Sequence, residues 1–540
     1  MLDLSKFNAL LIDDLPEMRT TVRIQLADCG LKKCDMARNI KEAVEKISSA
    51  RFDLIVCDYN LGQGADGQQL LELVRRRKVL PFSTAFLMIT GETGYEQVST
   101  AAEYTPDDYL IKPFTSKTLQ SRLERIIDRK SALQPIYQYL GDRGSDKQKA
   151  LAACNALLAE KSRYAPEVNR IKGDLLVDLQ RNDEALALYQ AVLTERSTPW
   201  AEVGKARVLI AQGQDDKAKQ HLTRTLQAYP NYLEAYDLMI GIMEKSDKPG
   251  AQRMVEKALK IAPTTQRHRQ LGGIALENED FERAEEAFNR AVEKDRTGFF
   301  KAFEDFTGLA KSRIEQGKVD AALATVKEMN KSFTPSPELT VRQAAAECYV
   351  HGRAGNAPAA KAALERTMVA KNKAELDVSA QLEIAQACFA AGEPDQAKEI
   401  LQGIAEDHHE NESVLAKAQS VFRVAGLGGE GEVFLAATKK RMIKLNNDAV
   451  AMAQSGDLDK AYAMLEEAAN RLPNNAQVAI NTAIAALMRA QRQGMKFEHF
   501  NQAHHYITQA HHANPDHPRL GDAIKLYRKL APEDALTLLV

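Results

Sequence analysis

An alanine follows a short polar turn again and again from about residue 130 to the end of the chain. Successive alanines are separated by 35, 33, 33, 33, 37, 39, 37, 64 and 42 residues, and they are Ala150, Ala185, Ala218, Ala251, Ala284, Ala321, Ala360, Ala397, Ala461 and Ala503. Apolar residues recur around them at helical spacing. A period near 34 residues with helix, turn and helix in each unit predicts stacked helix pairs, because one pair cannot bury its apolar face alone.

The internal pattern of each unit supports this prediction. An apolar residue usually follows the alanine by four positions, which places both on one helix face. Prolines that stop the second helix stand twelve residues after four of the alanines, at Pro230, Pro263, Pro473 and Pro515. The pattern resembles the tetratricopeptide repeat family, most clearly in the middle units and at Ala461, less so near Ala321 and Ala360. The resemblance implies an all-α superhelical solenoid.

The longest interval between alanines contains a glycine-rich stretch, GLGGEGE, at positions 426–432. Because glycine is a poor helix former, we expect an irregular break there that could bend the solenoid. The predicted organisation is a first repeat array over 130–425, an irregular break over 426–441, and a C-terminal array with capping helices over 442–540.

Tetratricopeptide repeats have no catalytic chemistry of their own, and the resemblance implies a concave groove that binds protein segments. In the family register, six residues fall on equivalent groove-facing positions of first helices: Arg170, Arg207, Tyr236, Arg269, Phe306 and Tyr349. Arginine and tyrosine are favoured interface anchors, so this row is our candidate partner-binding surface. The alternative is that these are ordinary surface or inter-repeat packing residues.

The first 129 residues have a different pattern, in which short apolar runs alternate with helical segments. The runs cover 8–12, 33–37, 53–57, 83–89 and 109–111, and the helical segments start near Glu17, Ile40, Gly67 and Gly94, with a last one after Phe114. Such alternation predicts a five-stranded parallel sheet covered on both faces, in a doubly wound α/β domain. In open sheets of this kind, sites form outside the carboxyl ends of the strands.

Five polar residues stand at those ends, namely Asp13, Asp14, Asp58, Thr90 and Lys112. Three crowded carboxylates would repel one another, so they need a cation, and all-oxygen ligation favours Mg²⁺. A bound Mg²⁺ tends to share its remaining ligand positions with phosphate oxygens. Asp58 is therefore a plausible nucleophile that forms an aspartyl phosphate, while Lys112 and Thr90 could hold phosphoryl oxygens.

These residues resemble the receiver domain of bacterial two-component response regulators. The matching strings are LLIDD at 10–14, VCDYNLG at 56–62, MITGE at 88–92 and DDYLIKPF at 107–114. The resemblance implies a flavodoxin-like fold over 1–129, with Asp13 and Asp14 as the metal-binding pair and Asp58 as both phosphoacceptor and metal ligand. It further implies that the Asn60 carbonyl completes the metal site, that Thr90 and Tyr109 switch on phosphorylation, and that Lys112 is the family's lysine.

Two alternatives accompany this interpretation. The acids could be helix N-caps without further function, or the domain could fold as a receiver and never be phosphorylated. Many receivers have proline where this chain has Gly62, a departure that concerns only the rigidity of the loop.

Composition narrows the class of protein. A net charge of −2 provides no overall electrostatic attraction to nucleic acid or to an anionic membrane surface. No apolar run is long enough to span a bilayer. The start of the chain is expected to be a strand rather than a signal peptide, and six scattered cysteines are typical of a reducing cytoplasm. Six histidines lie close together near the C-terminus, where we expect a solvated final repeat rather than a metal site: His499, His504, His505, His511, His512 and His517.

The expected function is that of a response regulator and not an enzyme. A sensor histidine kinase or phosphotransfer protein would phosphorylate Asp58, which would modulate binding of an unidentified protein in the repeat groove. Three charged residues match positions that a known receiver dimer uses: Asp107, Asp108 and Arg122. Because other charges of that interface are absent here, we expect a homodimer without assigning it that form. The competing hypotheses are a phosphorylation-independent scaffold and a regulatory subunit of a partner enzyme or motility machine.

Overall fold

The computed structural model describes residues 4–62, 66–76, 79–91, 105–140, 146–294, 301–494, 497–515 and 517–531. The chain divides into two compact units, Met1–Gly308 and Leu309–Val540. The first unit contains the sheet and the first helix pairs, and the second unit is helical throughout its described part.

The N-terminal part of the first unit is a five-stranded parallel sheet of order β2-β1-β3-β4-β5. After a short 3-10 helix, Leu4–Lys6, its strands are β1 (Asn8–Ile12), β2 (Lys33–Ala37), β3 (Leu54–Asp58), β4 (Ala85–Thr90) and β5 (Asp108–Ile111). The helices between and after them are α1 (Pro16–Asp28), α2 (Ile40–Ser49), α3 (Gly67–Arg76) and α4 (Ser116–Tyr137). This arrangement confirms the predicted doubly wound fold.

Both faces of the sheet are buried, because alternate residues of each central strand point to opposite sides. On β1, Leu11 packs in one core with residues of α1 and α4, whereas Leu10 packs in a second core with residues of α2 and α3. The central strands β1, β3 and β4 are almost continuously apolar for this reason, whereas the edge strand β2 is largely exposed. The predicted bounds of β1 and β2 match the structure, and the other three strands shift by one or two residues. The helix expected near Gly94 lies outside the described residues.

Helix pairs fill the rest of the chain as far as the structure describes it. In the first unit they are α5 (Lys147–Ala159), α6 (Ala165–Asp178), α7 (Asn182–Glu195), α8 (Pro199–Ala211), α9 (Asp215–Ala228), α10 (Leu233–Ser246), α11 (Lys248–Ile261), α12 (Thr265–Glu277) and α13 (Phe281–Lys294), and α14 (Phe303–Glu315) spans the division. The second unit continues with α15 (Val319–Ser332), α16 (Pro337–Arg353), α17 (Ala357–Lys371), α18 (Val378–Ala390), α19 (Pro394–Asp407), α20 (Glu412–Val424), α21 (Gly428–Gln454), α22 (Leu458–Arg471), α23 (Ala476–Gln493), α24 (Phe497–Ala513) and α25 (Leu520–Leu530).

The repeat alanines lie where helices pack most closely. Nine of the ten are completely buried, each on the second helix of a pair. The exception is Ala321, which is partly exposed, while its neighbour Ala322 is completely buried. The predicted register of that unit was therefore wrong by one residue. With the correction, Val326 takes the apolar position four residues on.

The expected break over 426–441 is also wrong. Helix α21 runs without interruption from Gly428 to Gln454. Gly431 is buried against Phe422 of α20, so closely that a β-carbon at position 431 would collide with the phenyl ring. This glycine therefore lets two helices approach each other, and the predicted break is a continuous helix.

The predicted domain boundary after residue 129 falls inside α4, which is a single helix of 22 residues. Thr115 caps its first turn by accepting a hydrogen bond from the Thr118 amide. Within the described residues, no helix has the length and apolar character needed to cross a bilayer.

Candidate functional site

The strands bring the five predicted polar residues to one edge of the sheet. Asp13 and Asp14 follow β1 directly, Asp58 ends β3, Thr90 ends β4, and Lys112 follows β5. Because all five strands are parallel, these positions meet at the carboxyl edge, as the sequence predicts.

Three carboxylates form the centre of the site. One oxygen from each of Asp13, Asp14 and Asp58 lies within 4.8 Å of the other two, the separation that ligands of one metal ion require. In the described part of the chain, this is the one group of three or more such side chains that could hold a metal. Asp13 and Asp58 are buried, with 2% and 7% of their surfaces exposed. A small all-oxygen site of this kind suits Mg²⁺.

Burial raises the pKa of the Asp58 carboxyl to about 6, and the negative charge of Asp13 adds to the effect. Lys112 opposes the rise, since its Nζ lies 3.0 Å from Asp58 Oδ2 and 3.3 Å from Asp13 Oδ2. The lysine thus bridges two of the three carboxylates. An ammonium in this position can also neutralise an anionic group that approaches Asp58.

The loop after β3 is shaped by Asn60 and Gly62. The Asn60 side-chain oxygen accepts a hydrogen bond from the Gly62 amide, 3.0 Å away, and Gly62 has a φ of +68°. Proline cannot adopt a positive φ, which explains why glycine stands where many receivers have proline. A β-carbon at position 62 would lie 2.7 Å from Asp14 Oδ2, so the glycine also makes room for the metal pair.

The two predicted switch residues lie beside this centre. Thr90 is buried, with 1% of its surface exposed, and its carbonyl accepts a hydrogen bond from the Lys112 amide at 2.7 Å. Tyr109 is half-buried on β5 and packs against the core on the α2 and α3 side of the sheet. Thr90 is thus tied through the backbone to the residue that neutralises Asp58.

Sequence reasoning missed Arg19. Its Nη1 donates a hydrogen bond to the Asp13 carbonyl at 2.5 Å, while Asp13 Oδ1 accepts one from the Leu15 amide at 2.9 Å. Both bonds fix the turn that carries the acidic pair. The available signal was an arginine one turn into the helix that follows two adjacent acids.

The six candidate groove residues divide by type. The aromatic ones are buried, with 8% of the surface of Tyr236, 3% of Phe306 and 6% of Tyr349 exposed. Tyr236 donates a hydrogen bond to the Pro230 carbonyl, and the Tyr349 hydroxyl donates one to Glu315. For these three the surface interpretation is wrong, because the repeats use them as inter-helix packing residues.

The arginines remain closer to solvent. Arg170 is exposed, and Arg207 and Arg269 are half-buried. Arg207 pairs with Asp174 of α6 at 2.7 Å and with Glu234 of α10, and Arg269 forms two 2.7 Å hydrogen bonds with Asp305 of α14. Ion pairs therefore connect the first helices of successive repeats in the first unit.

Charges that the sequence suggested for a receiver dimer are engaged within the chain. Asp108 lies 3.3 Å from Arg122 and 2.5 Å from Arg125, and Asp107 lies 2.6 Å from Arg129. All of these cations project from α4. These contacts give the two aspartates an intramolecular role.

The histidine-rich segment is only partly solvated. His499 is buried, with 6% of its surface exposed, and the His517 side chain is 8% exposed and lies 3.2 Å from Glu410. The expectation of a solvated segment is wrong for these two residues. His499 serves packing, and His517 forms a hydrogen bond with Glu410 between two helix connections of the second unit.

Comparison with known proteins covers both parts of the chain. The family described as response regulator receiver domain matches residues 9–124, and the tetratricopeptide repeat family matches residues 176–239. Over 120 residues the chain is 34% identical to chemotaxis protein CheY-3 of Vibrio cholerae serotype O1. The matched region covers 22% of this chain and 91% of CheY-3.

Two solved structures resemble different parts. CheY4 of Vibrio cholerae is 32% identical, with 22% of this chain and 98% of that chain covered and a TM-score of 0.20. The C-terminal part of a TPR repeat-containing protein from Cytophaga hutchinsonii is 16% identical, with a TM-score of 0.36. The match covers 46% of this chain and 96% of that chain.

Proposed function

The chain belongs to the response regulator receiver family, with tetratricopeptide repeats after its receiver domain, and from this premise we propose that it is a two-component response regulator with a protein-binding output. A sensor histidine kinase or phosphotransfer protein supplies a phosphoryl group to Asp58. The modified receiver changes how the repeats bind an unidentified protein partner. The chain acts through binding and not as an enzyme.

The observation that carries this proposal is the grouping of three carboxylates with one lysine. Asp13, Asp14 and Asp58 have ligand atoms within 4.8 Å of one another, and Lys112 lies 3.0 Å from Asp58. Such a set fits Mg²⁺, with the Asn60 carbonyl as a further ligand. When bound, Mg²⁺ would neutralise the negative charge that builds up during phosphoryl transfer. A merely structural set of helix caps would not need a lysine ammonium between two of its acids.

Each residue then has a defined task. An Asp58 oxygen attacks the phosphorus of a donor phosphohistidine, the phosphorus–nitrogen bond breaks, and the imidazole leaves with its electron pair and takes up a proton. Lys112, released from its pair with the Asp58 carboxylate, and the Thr90 hydroxyl hold phosphoryl oxygens. Tyr109, on the strand between Asp107 and Lys112, follows Thr90 inward.

The proposed output surface uses the arginines of the groove row. Arg170, Arg207 and Arg269 are exposed or half-buried on the first helices of their repeats. A partner segment with carboxylates could exchange places with the acids that now pair with Arg207 and Arg269. Receiver pairing into a homodimer remains a second route by which phosphorylation could act.

Phosphorylation is tested on the full chain with Mg²⁺ and a phosphoramidate donor, read by intact mass. The wild type should gain one phosphoryl group, Asp58→Asn should gain none, and chelation of Mg²⁺ should abolish the gain. Asp35→Asn is the matched control, since Asp35 lies on β2 of the same domain with its side chain 55% exposed. Labelling of Asp58→Asn, or no labelling of the wild type, would disprove the proposal.

Coupling to the output is tested by small-angle X-ray scattering with light scattering, before and after addition of beryllofluoride with Mg²⁺. A change of shape or mass in the wild type that is absent in Asp58→Asn supports the switch. Binding of beryllofluoride with unchanged shape and mass favours the scaffold hypothesis instead.

A further inference from the structure

Helix α4 belongs to two hydrophobic cores. Its first half places Leu119, Leu123, Ile126 and Ile127 in the sheet's core, beside α1. Its last turns place Leu133 and Ile136, both completely buried, in the core of the first repeats with residues of α5 to α8. A helix of 22 residues is about 33 Å long at 1.5 Å per residue. Bending it would uncover apolar side chains in one of the two cores.

A polar contact set reinforces this junction, and Asp107 is its centre. Its Oδ1 lies 2.6 Å from Arg129 and 3.0 Å from Lys130, and its Oδ2 accepts a hydrogen bond from the Phe86 amide of β4 at 2.8 Å. Asp107 therefore binds the sheet on one side and the middle of α4 on the other.

Lys130 makes the most enclosed of these contacts. Its side chain is 12% exposed, its Nζ donates to the Phe82 carbonyl at 2.8 Å, and it lies 5.5 Å from the centre of the Tyr137 ring. Tyr137 in turn stacks on Phe82, with ring centres 6.2 Å apart. Burial lowers the pKa of the Lys130 ammonium and Asp107 opposes the decrease, so the pair depends on both charges. We name Asp107, Lys130, Phe82 and Tyr137 the junction clasp.

Contacts from the same turn of α4 reach the first repeat. Arg129 Nε lies 3.9 Å from Glu167 of α6, and the Tyr164 hydroxyl, directly before α6, donates a hydrogen bond to Asp128. The sheet, α4 and α6 are thus joined by side chains that lie next to one another in sequence on α4.

The clasp is also connected to the phosphoacceptor edge. Asp107 directly precedes β5, and Lys112 directly follows it. The two residues are five positions apart, about 16 Å along an extended strand. A displacement of Lys112 at Asp58 would therefore be transmitted to Asp107 through β5. This strand moves as a unit because it is hydrogen-bonded along its length to β4.

We propose, on the basis of the function above, that the junction clasp makes the receiver and the first repeat helices, α5 to α7, one cooperative body. The signal from Asp58 then reaches α5 and α6 through β5 and α4 and not across a hinge. Binding at Asp58 and stability of the first repeats are reciprocally linked, as coupled equilibria must be.

Hydrogen exchange of the full chain, read by mass spectrometry, tests this coupling with and without Mg²⁺ and beryllofluoride. In the wild type, exchange should slow around Asp58 and change in residues 147–178. Lys130→Met should keep the slowing around Asp58 and lose at least half of the change in 147–178. Lys117→Met is the matched control, an exposed lysine on the same helix, and it should behave as the wild type. Asp107→Asn replaces Lys130→Met if that variant does not fold.

The outcomes separate this proposal from the one on which it rests. Slowed exchange at Asp58 with no change in 147–178 of the wild type overturns the clasp and leaves the phosphoacceptor assignment intact. If beryllofluoride does not bind the wild type, the proposed function fails. The cooperative role of the junction clasp is then tested separately, by hydrogen exchange of the full chain in increasing urea. Residues 105–111 and 147–178 should lose protection together in the wild type and separately in Lys130→Met. Separate loss in the wild type would overturn it.

Discussion

Gly62 makes room for Asp14 at the acidic centre, because a β-carbon at position 62 would stand 2.7 Å from Asp14 Oδ2. Gly62 also has a φ of +68°, where a side chain costs about 1–2 kcal/mol. The residue therefore combines a backbone requirement with a steric one. Neither could be met by the proline that many receivers carry.

Gly62→Ala should weaken Mg²⁺ binding, because the new methyl group displaces the Asp14 carboxylate. We expect a loss on the order of tenfold, equivalent to about 1.4 kcal/mol, measured by titration calorimetry. Gly30→Ala is the control, since Gly30 has a φ of +92° but nothing within 4 Å of an added β-carbon. It should lose stability through the same backbone strain and keep its affinity for Mg²⁺. Equal affinities in both variants would contradict the steric role of Gly62.

Lys112→Met should slow phosphorylation of Asp58 by roughly 100-fold, the usual effect of removing one charge-stabilising donor. The physical reason is that Lys112 lies 3.0 Å from Asp58 and supplies the nearest side-chain cation of the described site. The rate is measured by intact mass during reaction with phosphoramidate. Lys46→Met, which removes a partly exposed lysine of α2 outside the site, should react at the wild-type rate. A similar slowing in both variants would assign the effect to the net charge of the domain.

The candidate site could be predicted from sequence because it depends on order and strand ends. Apolar runs fix the strands, and parallel strands bring their carboxyl ends to one edge. Asp13, Asp58 and Lys112 therefore had to meet. The contribution of Arg19 could not be predicted, because its bond to the Asp13 carbonyl depends on the exact path of the turn.

The repeats show where periodicity stops being informative. It fixes which face of a helix is apolar but not how deeply a residue is buried. It therefore leaves open whether Tyr236 and Phe306 serve an interface or a core, and the structure shows that both are buried. Ala321 and Ala322 are adjacent alanines, and composition cannot choose between them. Gly431 suggested a break by propensity, whereas the contact with Phe422 uses its missing side chain for helix packing.

Gly272→Ala should destabilise the first unit. Its β-carbon would lie 2.7 Å from the ring of Phe288, which is buried between helices of neighbouring repeats. Overpacking of this kind costs about 1–3 kcal/mol, to be measured by urea unfolding followed by hydrogen exchange in the first unit. The adjacent Gly273→Ala is the control, because an added β-carbon there meets nothing within 4 Å. It should stabilise the helix by about 0.5–1 kcal/mol. Effects of the same sign would refute the packing argument.

Asp407→Asn should stabilise the second unit at pH 7. Burial raises the pKa of the Asp407 carboxyl from 3.8 to about 6, with Glu406 adding to the rise and the Asn474 amide opposing it. Its Oδ1 is buried without a hydrogen-bond partner. The ionised form is thus disfavoured in the folded state above pH 6, at a cost on the order of 1–2 kcal/mol after allowance for partial exposure.

The pH dependence gives this prediction its sign. As pH falls from about 6 toward 4, the folded wild type takes up a proton before the unfolded chain does, so its stability rises relative to Asp407→Asn. The difference in unfolding free energy between the two proteins, measured in urea at several pH values, should therefore be largest at pH 7 and shrink toward zero near pH 4. Asp395→Asn, at an exposed position in the first turn of the same helix, should show no such trend. A difference that stays constant with pH would mean that the charge of Asp407 is not the cause.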